Sequence, residues 1–355
     1  MEFFRLLLLP VAFIYELITR LRNKLFDWKL LPSTSYNLPV ISVGNLSAGG
    51  TGKTPHVEYL IRLLISDNRI ATLSRGYGRK TKGFRIAGSD DSAGTIGDEP
   101  AQFHNKFPEI IVSTAELRRQ GISALIKTYP DLDVILMDDA FQHRYVKPGL
   151  SILLTDYHKL YTKDYPLPFG TLREARSGAK RSDLIVVTKT PNVLSPFDRQ
   201  MITDYINPKF HQKIFFSFVK YGTIRSVWNS DEIIEPGSKF TVIILVAGIA
   251  NPYPLEYELR NMCSDLILMR YNDHHKYTFS DFEEIKENYS DIYTRNKLLV
   301  TTEKDAMRML DPDVKEMASQ LPFFYVPMEI DFHGDDKQNF DQIIIDYVRT
   351  NKGKR

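Results

Sequence analysis

Apolar runs alternate with helical patterns through the first two-thirds of the chain. VISVG, IATLS, EIIVS, DVILMDD, LSILLTD and SDLIVVTKT are rich in branched aliphatic residues, and amphipathic stretches lie between them. Runs apolar at consecutive positions predict strands covered on both faces, and their alternation with helices predicts a doubly wound, mostly parallel α/β sheet. From Lys213 the rhythm changes: IFFSFVKYGTIRSVW and DEIIEP read as extended segments with no helix between them. A second α/β unit follows, with strands FTVIILVAG, LILMRY, NKLLVTT and FFYVPME and a closing helix around Phe340 to Val348. The expected organisation is an N-terminal helix over 1–32, a first domain over 33–212, an extended linker over 213–239 and a smaller α/β lobe over 240–355.

In the N-terminal segment Leu6, Leu9, Phe13, Leu17 and Leu21 recur at helical spacing, and Arg20, Arg22, Lys24 and Lys29 cluster toward its end. Arg5, Pro10 and Glu16 break the apolar run well short of the ~20 residues that cross a bilayer. No small-residue cleavage site of the signal-peptide kind follows. The pattern suits a helix lying in a membrane interface with its basic end on lipid headgroups, and it equally suits a helix docked on the domain's own core.

Composition narrows the classes further. At 355 residues, 43% hydrophobic and 25% charged, the chain suits about two ordinary globular domains. A net charge of +2 gives no basic footprint for nucleic acid, and the terminal Lys352-Gly353-Lys354-Arg355 reads as a solvated tail. With Cys263 as its single cysteine the chain can form no internal disulfide and no cysteine-cluster zinc site, which fits a reducing, cytoplasmic setting.

The sharpest chemical signal is LPVISVGNLSAGGTGKTPHVEYLI, in which a strand pattern, a glycine-rich turn and an amphipathic helix are contiguous. That order suits a phosphate-gripping loop: Ser47, Ala48, Gly49, Gly50, Thr51 and Gly52 turn backbone N–H groups toward an anion, Lys53 reaches the β/γ-phosphates and Thr54 ligates Mg²⁺. Ser47 stands where the general Walker spacing has glycine. Asp138 and Asp139 end an apolar run, as a carboxylate aimed at the same metal would, one touching metal or its water and the other orienting a neighbour. Asp98 in GDEP is a candidate base for an attacking hydroxyl, although locally Asp-Glu-Pro reads as a helix start with Asp98 as N-cap. Glu174 in GTLREA is a further candidate metal or hydroxyl contact, against a solvated helix start. Arg75 and Tyr77, in Arg75-Gly76-Tyr77-Gly78-Arg79, could meet an anionic substrate, against a surface turn. Asp273-His274-His275 lacks helical H-x-x-x-H spacing, so it fits an acid/base partner in a closing lobe better than a zinc site.

Taken in order, GNLSAGGTGKTP, SRGYGR, GDEP, DDAFQHR, GTLREA, DHHKY and TTEKDAMR resemble the tetraacyldisaccharide 4′-kinases of lipid A biosynthesis, from the N-terminal helix to about Asp331. In that family the phosphate loop has the form GNxxxGGTGKTP, so Ser47 is no departure. The resemblance implies a P-loop NTPase-like fold, ATP and Mg²⁺, and phosphorylation of the 4′-hydroxyl of a tetraacylated disaccharide 1-phosphate by a peripheral protein. Its N-terminal helix would sit on the cytoplasmic face of the bacterial inner membrane. It further implies Asp98 as the base with His274 behind it, and Asp138, Asp139 and Glu174 around metal and hydroxyl. Arg75, Tyr77 and Arg118 would face the substrate, with Thr302, Lys304 and Asp305 near the nucleotide base. A membrane-associated switch NTPase acting on a protein partner is the main alternative. Such a switch would not need the Asp-His-His cluster. Neither VTKTPN nor TTEKDA has the N/T-K-x-D form of guanine recognition.

Overall fold

The computed structural model describes residues 8–229, 231–273 and 275–352. Its strands are β1 (Val40–Asn45), β2 (Ile70–Ser74), β3 (Arg85–Ile86), β4 (Ile111–Thr114), β5 (Val134–Asp138), β6 (Leu150–Asp156), β7 (Leu184–Thr188), β8 (Lys213–Tyr221), β9 (Arg225–Ser226), β10 (Phe240–Ala247), β11 (Cys263–Arg270), β12 (Lys297–Thr302), β13 (Phe323–Val326) and β14 (Met328–Phe332). Five helices frame the site: α1 (Leu9–Asp27), α2 (Lys53–Leu64), α3 (Asp98–Lys106), α4 (Glu303–Met309) and α5 (Asp336–Asn351).

The larger sheet has the order β14-β8-β7-β6-β1-β5-β2-β4-β3. It is parallel except at its edges, where β14 runs against β8 and β3 against β4. Every residue of β1 is buried. Ile41 and Val43 join one core layer with Val57, Leu60 and Leu136, while Val40 joins the opposite layer with Ile122 and Met137. That two-sided burial is what the unbroken apolar run foretold. From β1 the chain crosses to β2 on one side, and β6 lies on the other, so a crevice opens beyond the carboxyl ends of β1 and its neighbours.

The smaller sheet, β11-β10-β12-β13-β9, is parallel apart from β9. The structure departs from the expected boundaries at both passages between the sheets. Lys213–Tyr221, expected as linker, pairs with β7 and β14 inside the larger sheet. At the other passage FFYVPME is two strands rather than one, because Pro327 supplies no N–H and the chain changes sheets there. The Gly222 N–H donates to the Pro327 carbonyl at 2.8 Å, tying the passages together. The closing helix α5 then packs Phe340, Ile344 and Val348 into the core of the larger sheet. At about 2 kcal/mol for each such side chain, α5 is held by the first lobe rather than the second.

Helix α1 settles on the first domain through polar bonds together with the buried Ala12 and Phe26. Tyr15 Oη donates to the Arg173 carbonyl at 2.8 Å, Asn23 Nδ2 to Glu174 at 2.6 Å, and Arg144 bonds the Asn23 carbonyl and Asp27 at 2.6 Å each. Its apolar stripe points outward, with Phe13 69%, Leu17 58% and Ile18 61% exposed. Leu6 lies outside the described residues. Among the described residues no helix is long and apolar enough to cross a membrane.

Candidate active site

The glycine turn leaves β1 and enters α2 through Gly52, whose φ of +84° is a left-handed conformation that a side chain would strain. Around it the loop is braced from four directions. Asn45 Nδ2 donates to Thr51 Oγ1 at 2.7 Å, and Thr188 Oγ1 donates to the Thr51 carbonyl at 2.9 Å. Lys189 Nζ donates to the Gly50 carbonyl while pairing with Asp156 at 2.8 Å. Ser47 bridges Leu172, and the Ala48 N–H donates to the Thr171 carbonyl at 2.6 Å. The Ala48 N–H is therefore already used, and the Thr51 N–H donates to the Gly49 carbonyl at 3.1 Å.

Two acids meet this loop. β5 lies beside β1 in register, with Asp138 opposite Val43, so the end of β5 comes next to the turn. Asp139, at a φ of +46°, points to Lys53 Nζ at 3.5 Å, and Arg173 Nη1 donates to both its oxygens at 2.9 and 3.0 Å. Burial would raise its carboxyl, yet Lys53 and Arg173 hold it below the usual carboxylate range. Asp138 lies in the opposite environment: burial, reinforced by Glu99 and Asp139, pushes it up to about 7. Its Oδ1 is buried with no hydrogen-bond partner. A desolvated, unsatisfied carboxylate oxygen is costly unless a cation completes it, so Asp138 Oδ1 is the position here that fits a metal ion, whereas both oxygens of Asp139 are taken by Arg173.

The second lobe reaches the same crevice through α4. Gly97, at a φ of +99°, caps α3 and packs against the Arg75–Arg79 turn so closely that a Cβ would sit 2.9 Å from Gly76 Cα. Asp98 is therefore the first residue of α3 rather than its N-cap. Arg308 Nε and Nη2 donate to Asp98 Oδ2 at 3.1 and 2.8 Å, and its Nη1 bonds Asp305 at 2.7 Å. Lys304 pairs with Glu99 at 3.2 Å, and Lys106 bridges Glu58 at 2.7 Å and Glu303. Opposite charges thus meet across the facing helices α3 and α4, which ties the second lobe to the first.

A family model of tetraacyldisaccharide-1-P 4′-kinases matches residues 4–349. The chain belongs to this family. It is 44% identical to the tetraacyldisaccharide 4′-kinase of Bacteroides thetaiotaomicron, over 97% of this chain and 93% of that protein. To the tetraacyldisaccharide 4′-kinase of Flavobacterium johnsoniae it is 43% identical, over 99% of each. The crystal structure of LpxK from Aquifex aeolicus in complex with ATP superposes with a TM-score of 0.72 at 26% identity, covering 97% of this chain and 99% of that one.

Within this family member, several expected site residues stand differently from the sequence reading. Thr302 and Asp305 are buried and bond one another at 2.6 Å, and Asp305 also accepts from the Gly248 N–H at 2.9 Å, so their polar atoms are spent capping α4. Only Lys304 of that trio reaches toward the facing lobe. Arg118 is buried, its guanidinium donating to the carbonyls of Ala115 and Asp138, the latter at 3.3 Å, which fastens the end of β5. Arg75 and Tyr77 are exposed just past β2. Both oxygens of Glu174 accept hydrogen bonds: Oε2 from Asn23, Oε1 from Arg181 at 2.7 Å and Gln142 at 3.3 Å. It is engaged as a brace. His274 lies outside the described residues, and its neighbour His275 bonds Asp281 at 3.0 Å.

Sequence reasoning missed Asn45, Thr188, Lys189 and Arg308, and it weighed Arg173 as a phosphate contact where the structure pairs it with Asp139. The one available signal for the missed four was position, since they lie at or just beyond a strand's carboxyl end or on the helix that follows it. It also missed His56. Its ring bonds the Gly52 carbonyl through Nδ1 at 2.7 Å and Ser217 Oγ through Nε2 at 3.0 Å, so the neutral ring clips the loop to β8. Burial holds this imidazole down at about 4. A free imidazole titrates near ~6.5, so between these values the unfolded chain binds the proton first. Stability that depends on neutral His56 is complete above about 6.5 and is lost toward pH 4, by an amount on the order of 3 kcal/mol. Melting temperatures measured from pH 7.5 to 4.5 should fall more steeply for the natural protein than for His56→Gln; parallel curves would contradict the assignment.

Proposed function

We propose that this chain transfers the γ-phosphoryl group of ATP to the 4′-hydroxyl of a tetraacyldisaccharide 1-phosphate, the lipid A precursor. The observation that carries this reading is the meeting of Lys53, an ion-paired Asp139 and the unpartnered Asp138 Oδ1 at one loop. Gly49–Gly52 and Lys53 would hold the β/γ-phosphates, and Thr54 and Asp138 would hold Mg²⁺ with Asp139 beside them. The metal supplies charge neutralisation at the phosphates. Asp98 takes the proton of the 4′-hydroxyl as the new oxygen–phosphorus bond forms, the bond between γ-phosphorus and the β,γ-bridging oxygen breaks, and ADP leaves. Arg75 and Tyr77 face the sugar and its 1-phosphate, and His274 supports Asp98.

Outward-facing Phe13, Leu17, Ile18 and Leu21 support a peripheral anchor on the cytoplasmic face of the inner membrane. A helix that bonds the domain through polar side chains while Phe13, Leu17, Ile18 and Leu21 stay exposed among the described residues leaves that area for lipid, where the acceptor resides. Incubation with γ-labelled ATP, with and without lipid disaccharide monophosphate, tests the activity. Label should move to lipid only when acceptor is present. Phosphate release that ignores the acceptor would instead support a switch NTPase.

A further inference from the structure

Helix α1 is fixed to the domain at the residues that hold the site. The carbonyl that accepts from Tyr15 belongs to Arg173, whose guanidinium grips Asp139. The carboxylate that accepts from Asn23 belongs to Glu174, which also takes Arg181 and Gln142, and Gln142 Nε2 donates to the Asn45 carbonyl at the end of β1 at 2.7 Å. Arg22 adds a bond to the Gln142 carbonyl at 3.2 Å. Besides buried Ala12 and Phe26, α1 meets the site through directional polar bonds, made to groups whose other ends hold the phosphate loop or its acid.

We infer that α1 is a structural member of the active site as well as its anchor, with Tyr15 and Asn23 as positioning residues for Arg173 and Glu174. An apolar docking face would tolerate sliding, whereas hydrogen bonds to a carbonyl and a buried carboxylate fix both height and rotation of the helix. The apolar stripe lies on the opposite side of the same helix, so a surface bound there is set at a fixed distance and tilt from Asp139. Removing the Asn23 amide leaves Glu174 with fewer donors and frees the 171–174 segment that pairs with Ser47 and Ala48. Misplacing an outer support of this kind lowers the rate of the chemical step rather than substrate affinity.

The inference rests on the proposed placement of Asp139 beside the metal and Lys53, and the experiment separates the two. In the full chain, Asn23→Leu keeps the size and removes the donor, whereas Asn23→Gln keeps the donor. Asn23→Leu combined with Tyr15→Phe should lower kcat about tenfold with KM for ATP and lipid unchanged. Asn23→Gln should recover most of that loss. Sedimentation with vesicles of phosphatidylethanolamine and phosphatidylglycerol should be unaltered in these variants and lost in Phe13→Ser/Leu17→Ser/Ile18→Ser. Equal kcat in Asn23→Leu, Asn23→Gln and the natural protein would overturn the positioning role. Should the double variant fail to fold by circular dichroism, Tyr15→Phe alone is decisive, since losing one hydroxyl would still lower kcat several-fold or sink the idea. Normal turnover in Asp139→Asn would instead remove the underlying placement, and retained sedimentation of the serine variant would remove the anchor alone.

Discussion

Lys53→Ala is expected to lower turnover about a thousandfold while leaving the fold intact. The lysine is the cation at the turn entering α2, its side chain largely buried and 3.5 Å from Asp139. In phosphoryl transfer most of the catalytic effect is positioning and neutralisation of spreading negative charge, and one fixed donor at such a site contributes about 10²- to 10³-fold. The fold survives because Asp139 keeps Arg173, at 2.9 Å, as a partner for its charge. Lys53→Arg should recover little, since a planar guanidinium does not replace a compact ammonium in a cradle shaped by backbone N–H groups. Lipid labelling under single-turnover conditions, set beside a thermal melt, is the measurement. Near-normal labelling would remove the phosphate-loop assignment.

The strands, the loop and the paired acids were legible in the sequence because each is written locally. An apolar run such as Val40–Val43, with glycines after it, needs no distant partner to be read. What was hidden depends on pairings far apart in the chain. The return of Met328–Phe332 to β8 is a long-range antiparallel contact, and only Pro327 hinted that FFYVPME is not one strand. Glu174 read locally as a solvated helix start, and its three donors, Asn23, Gln142 and Arg181, could not be foreseen because they come from separate segments. Thr302 and Asp305 looked available for the same reason: the Gly248 N–H that claims Asp305 lies at the end of another strand. The amphipathic N-terminus could be read as a pattern, but which face meets the domain could not. The structure settles that with Tyr15 and Asn23, polar residues that a search for apolar periodicity passes over.

Asp98→Asn should slow the chemical step by about 10²- to 10⁴-fold, the range of a lost general base, with ATP affinity little changed. Asp98 stands at the start of α3, where the helix N-terminus favours a carboxylate, and Arg308 grips one of its oxygens from the other lobe. A guanidinium there orients the carboxylate, so Arg308 acts through Asp98 rather than on substrate. Arg308→Gln should therefore cost less than Asp98→Asn. The two substitutions should also fail to add: in an Asp98→Asn background, Arg308→Gln should have almost no further effect on kcat, because the group it positions is already gone. A full double-mutant cycle measured in single turnovers decides the matter. Independent, additive losses would mean that Arg308 serves only to hold the lobes together, through Asp305 and the Gly248 carbonyl. A defect confined to KM for ATP would show that Asp98 binds nucleotide rather than accepting the hydroxyl proton.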